Sequence, residues 1–188
     1  MSHLVFLLEE RSAKAMLEVF VPRIVPAGTD VRYFPFEGKQ DLEKNLERKL
    51  KGYLVPGARF LILRDQDSAN CQETKHRLAA LCSNAGCSDA VVRIACKELE
   101  SWYLSDLHAV SRAYDKPSLV RQAGKARYRN PDGMVAPSRE LSRLVPEYQK
   151  IDGSRRIGAH LDPDNQRSRS FHNFVSAVRR LAGEPAAS

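Results

Sequence analysis

Four times in the first hundred residues, a short apolar run gives way to a stretch with helical spacing. The run at residues 3–8 (HLVFLL) has no polar alternation after His3, the mark of a strand covered on both faces. It ends at Glu9-Glu10, and Ser12 is placed to cap a helix over 13–20 that Pro22 stops. Residues 31–36 (VRYFPF) are β-branched and aromatic, with Pro35 arguing for an edge strand or a strand end. Leu42, Leu46, Leu50 and Tyr53 then share one face of a helix over 42–53, broken by Pro56-Gly57. A third strand over 58–63 leads to a helix over 72–85 stopped by Gly86, and a fourth over 90–96 leads into a helix beginning near Lys97. Strand and helix in strict alternation predict an α/β protein with a parallel four-stranded sheet and helices on both faces.

Beyond Tyr114 the periodicity weakens. Residues 115–138 read as a moderately helical segment and a loop, and Pro146, Gly153 and Asp162-Pro163-Asp164 as further breaks. An amphipathic helix over 170–181 closes the chain, with Phe171, Phe174, Val175 and Val178 on its apolar face, and the tail from Gly183 is expected to fray. The organisation expected is a core over 1–110 and a basic, mostly helical extension over 111–188 packed on the same domain.

Charge sharpens that division. Residues 1–110 hold 15 basic and 15 acidic side chains; residues 111–188 hold 15 and 8, so the whole surplus of +7 lies in the second part. A basic surplus confined to one region suits a polyanion, nucleic acid foremost, against a merely solvated basic surface. No apolar stretch approaches the length of a membrane span and no signal-peptide pattern is present, which points to the cytoplasm. Cys71, Cys82, Cys87 and Cys96 form no C-x-x-C pair, so reduced and mostly buried thiols are expected, not a structural zinc site.

The chemistry concentrates at strand ends. On an extended strand residues two apart project to one side, so Asp65 and Asp67 in Leu63-Arg64-Asp65-Gln66-Asp67-Ser68 would converge where the third strand ends. Two carboxylates held that close call for a cation, and hard oxygen ligands suit Mg²⁺ or Mn²⁺; the alternative is a turn or a helix cap. Ligands of open parallel sheets bind at the carboxyl ends of strands. Glu9-Glu10 follow the first strand and Glu98-x-Glu100 the fourth, so neighbouring strands would gather all three acidic pairs to hold one or two divalent ions against a phosphodiester. If the fourth strand continues through Glu98 and Glu100, both face the site; if a helix starts at Lys97, they diverge by about 200°. Glu98, nearer the strand end, is taken as the supporting residue.

A strand-Glu-helix unit followed by a later strand ending in Asp-x-Asp resembles the Toprim domain of topoisomerases, primases and overcoming-lysogenization-defect nucleases. Several stretches also resemble a bacterial family of Toprim-like proteins, DUF4276. They are Phe6-Leu7-Leu8-Glu9-Glu10-Arg11-Ser12, Gly38-Lys39-Gln40-Asp41-Leu42, Leu63 to Ser68, Ile94 to Leu104 and Asn165-Gln166-Arg167-Ser168-Arg169-Ser170-Phe171. The resemblance implies a Toprim-like fold and a Mg²⁺- or Mn²⁺-dependent nuclease. In it Asp65 and Asp67 hold the metal and Glu9 acts as general acid or base or as a further ligand. Glu10 stands where many Toprim sequences have glycine. The resemblance also implies a bacterial defence role with a separate ATPase partner, since this chain has no P-loop. The Glu37-Gly38 pair follows the second strand and is set aside as the catalytic glutamate.

For nucleic acid, DNA ahead of RNA, the candidate contacts are Lys39, Arg167 and Arg169, with solvated lysine and arginines as the alternative. Trp102 and Tyr103 are read as core, and His160 and His172 as surface or packing residues. A non-catalytic Toprim-like binding subunit is the rival reading. Haloacid dehalogenase-type phosphohydrolases place Asp-x-Asp after the first strand, and a nucleotide-sugar transferase has no use for the basic tail.

Overall fold

Strand β1 (His3–Leu8) is apolar beyond His3 because helices cover both of its faces. In the computed structural model, which describes residues 2–183, it pairs in parallel with β2 (Asp30–Pro35) on one side and β3 (Ala58–Asp65) on the other. Strand β4 (Val91–Ala95) adds beyond β3, giving an all-parallel sheet in the order β2-β1-β3-β4. The tail at 184–188 lies outside the described residues.

The pleat sorts the two cores. Leu4, Phe6, Leu8, Leu61, Leu63 and Ala95 face α1 (Arg11–Phe20) and the helices of the second half of the chain. Val5, Leu7, Phe60, Ile62, Val92 and Ile94 face α2 (Lys39–Lys51) and α3 (Cys71–Asn84). The chain steps from β1 outward to β2 and then returns past β1 to β3. With right-handed crossovers, that reversal puts α1 on one face and α2 and α3 on the other.

After β4 come α4 (Glu100–Ser105), α5 (Leu107–Tyr114), α6 (Ser118–Gln122), α7 (Pro137–Leu144), α8 (Lys150–Gly158) and α9 (Arg169–Ala182). Trp102 and Tyr103 are fully buried, as the sequence implied, and Trp102 Nε1 donates to Ser170 Oγ at 2.8 Å. Phe171, Phe174, Val175 and Val178 of α9 all enter the core beside β1. Among the described residues no helix is long and apolar enough to cross a membrane.

Several sequence expectations shift. Ser12 lies inside α1, and Glu10 occupies the cap position without capping through its side chain. Gly153 is an interior residue of α8: an added Cβ there would lie 2.4 Å from the Tyr148 ring, so the glycine permits a close approach instead of breaking the helix. Only Cys82 of the four free cysteines is buried; the other three are half-buried at the margins of α3 and β4.

Candidate functional site

The sheet order fixes where a ligand can sit. In a 2-1-3-4 arrangement the chain leaves β1 in one direction and β3 in the other, opening a crevice beyond their carboxyl ends. Glu9 follows β1 there, Asp65 ends β3, and Glu98 and Glu100 follow β4. These residues, with Glu10 and Asp67, line one cleft of about 360 Å³. All three acidic pairs expected at strand ends therefore meet.

The turns that bring them together are not those of extended strands. Strand β3 stops at Asp65, and Asp67 turns back in the left-handed region at φ 53°, which aspartate tolerates better than most residues. Lys97 is also left-handed at φ 64°, and its carbonyl accepts from the Asp67 N–H at 2.7 Å. The two loops thus lock together. Neither geometry considered for Glu98 and Glu100 occurs: β4 ends at Ala95, α4 starts at Glu100, and the Lys97 turn lets both acids reach the cleft.

The carboxylates differ in what already holds them. Glu9 Oε2 accepts from the Asp65 N–H at 3.0 Å, with the guanidinium of buried Arg64 3.8 Å away. Arg64 is anchored from the other face of β3 by Glu43, which also takes Arg77 at 2.9 Å. Glu98 Oε2 accepts from the backbone N–H of Ser138 at 2.7 Å, in the first turn of α7 where helical donors lack partners. Asp67 is held by Lys39 Nζ at 3.0 Å and Glu10 by Lys150 Nζ at 2.7 Å. Glu100 is 1% exposed; its Oε1 accepts from the Tyr148 hydroxyl at 3.0 Å, while its Oε2 is buried with no partner.

Burial first, then the Glu100, Glu9 and Glu10 carboxylates, push the Asp65 carboxyl well above the ordinary range. Burial also raises Glu9, against the Asp65 N–H and Arg64, and with Asp67 and Glu10 adding to it. Glu100 is raised by burial despite the opposing Lys150 and the Tyr148 hydroxyl. For Lys150 burial works downward, but Glu10, Glu100 and Asp65 outweigh it and hold the ammonium charged. Three carboxyls of raised pKa in one cleft form an environment short of positive charge.

The donor set, six carboxylates and no thiolate or imidazole, suits a hard divalent cation, and the partnerless Glu100 Oε2 is an oxygen with its lone pairs unclaimed. Among the described residues, however, no three His, Cys, Asp or Glu side chains are already gathered at ligating distance. Asp67 and Glu10 are instead paired with Lys39 and Lys150.

Lys39 therefore borders the cleft through Asp67, whereas Arg167 and Arg169 line a different cleft beside β4. The sequence reading did not single out Tyr148 and Lys150 as site residues. They arrive from the loop before α8 and from its first residue, with no strand end or motif to mark them. Ser138 and Ser142 of α7 complete the rim.

A family model described as a domain of unknown function, DUF4276, matches residues 8–179. No curated protein and no solved structure matches the chain.

Proposed function

The chain belongs to the DUF4276 family, and on that premise we propose that its acidic cleft is the active site of a divalent-metal-dependent nuclease that hydrolyses phosphodiester bonds. One observation carries the reading: six carboxylates converge at the β1/β3 switch point, with the buried Glu100 Oε2 unpartnered. Glu9, Asp65 and Asp67 would hold Mg²⁺ or Mn²⁺, with Glu100 and Glu98 beside them. Such an ion supplies an activated water and neutralises charge on the phosphate. Glu9, whose pKa burial raises, is placed to act as the general base. Tyr148 and Lys150 fix Glu100 and Glu10, so the walls of the site come from the second half of the chain. The basic surplus of residues 111–188 would give sequence-independent, salt-sensitive affinity for the nucleic-acid backbone.

A second reading, a non-catalytic Toprim-like binding subunit, draws support from the lysines that already neutralise Asp67 and Glu10. Calorimetric titration with Mn²⁺ and Mg²⁺, alongside plasmid nicking, separates the two. The nuclease reading expects binding by the native chain that weakens at least tenfold in Asp65→Ala/Asp67→Ala, and metal-dependent nicking lost in the same variant. A native chain that binds neither ion would leave the subunit reading standing.

A further inference from the structure

A second cleft, of about 610 Å³, lies outside the acidic site, along the open edge of β4 between α3 and α9. Four cations face it: Lys75 from α3, Arg93 from β4, and Arg167 and Arg169 at the start of α9. Among the described residues none of the four has a carboxylate within ion-pair distance. The cleft's one carboxylate, Asp132, is occupied internally: it accepts from Ser168 Oγ at 2.6 Å, from the Ser170 N–H at 2.8 Å and from Ser170 Oγ at 3.1 Å. Arg93 is half-buried, and burial together with Arg180 lowers its pKa, the signature of a cation short of counter-charge.

We propose that this cleft binds one strand of nucleic acid through its phosphates and leads that strand into the acidic cleft. Position supports the connection. Cys96 lines the basic cleft and Glu98 the acidic one, and two residues span at most about 7 Å, so both open at the same end of β4. Size supports a strand: the volume lies within the range of single-ligand pockets and has no room for a duplex. Chemistry supports bases as well as phosphates, because the amides of Gln72, Gln166 and Asn173 lie among the cations. The strand's destination rests on the nuclease reading; its binding does not.

The test measures anisotropy of a fluorescent 15-nucleotide oligo(dT), its duplex and fluorescent AMP in EDTA, so that no metal contributes. Lys75→Glu/Arg169→Glu reverses two exposed charges without touching the core. The native chain should bind the strand more tightly than duplex or AMP. The variant should bind it at least tenfold more weakly, with the slope of log affinity against log salt smaller by about 1.4 for two lost phosphate contacts. Mn²⁺ binding and the circular dichroism spectrum should be unchanged in this variant, and Asp65→Ala/Asp67→Ala should keep its strand affinity. Strand affinity unaltered by the charge reversal, or equal affinity for duplex or AMP, overturns the proposal. Loss of Mn²⁺ binding in the native chain, with strand binding intact, would instead sink the nuclease reading and leave this one.

Discussion

At Asp65, folding places a carboxyl among other carboxylates and away from water, and the cost depends on pH. A carboxyl whose pKa rises on folding binds its proton more tightly in the native state. Its contribution is favourable at pH below the unfolded value near 4, and erodes as pH climbs from there toward the raised native value. Asp65, Glu9 and Glu100 all act in this direction, so stability of the metal-free protein should decline as pH climbs above about 4. Asp65→Asn removes one of these charges while keeping the shape. It should raise stability at pH 7.5 by about 1 kcal/mol, or about 2–4 °C in melting temperature, with a smaller gain at pH 5. Thermal melts across pH check this, and an Asp65→Asn protein less stable than the native chain at pH 7.5 would contradict it. Asp65 and Glu9 were legible in the sequence because each ends an apolar run. The left-handed turn at Asp67 was not, because the pairing of its N–H with the Lys97 carbonyl joins loops 30 residues apart in the chain.

Among elements, α8 shows how a weak local signal hides a structural role. Its sequence, Lys150 to Gly158, mixes glycines and charges and gives little helical pattern. It is nonetheless a helix because its glycines let it sit close to its neighbours. An added Cβ at Gly158 would stand 2.9 Å from the Met16 carbonyl of α1, and one at Gly153 would meet both Tyr148 and the Tyr114 hydroxyl. That closeness places Lys150 and Tyr148 against the acidic cleft. Gly153→Ala should therefore destabilise by about 1–3 kcal/mol through overpacking, although alanine favours helices. It should also push Tyr148 off Glu100. Denaturant unfolding reads the first effect and near-ultraviolet circular dichroism the second; a stabilised Gly153→Ala would refute the packing argument.

For the molecule as a whole, the division at residue 110 marks a change in charge more than a seam in the core. Leu4, Phe6, Leu61 and Leu63 on one face of the sheet pack in the same cluster as Leu141, Ile157, Phe174 and Val178. A fragment of residues 1–110 would leave much of that face bare, and should show no cooperative melting and bind a hydrophobic dye. A sharp thermal transition in the fragment would show that the first part stands alone. The sequence by itself determined the four strands, their parallel pairing class, the amphipathic last helix and the placing of acids at strand ends. Each of these is written in a local period or a local break. Only the tertiary structure decided which strands are neighbours, that Tyr148 and Lys150 complete the acidic cleft, and that Arg167 and Arg169 turn to another cleft. Those outcomes depend on contacts between residues far apart in the chain, set by which apolar faces bury together, and no short window of sequence carries that information.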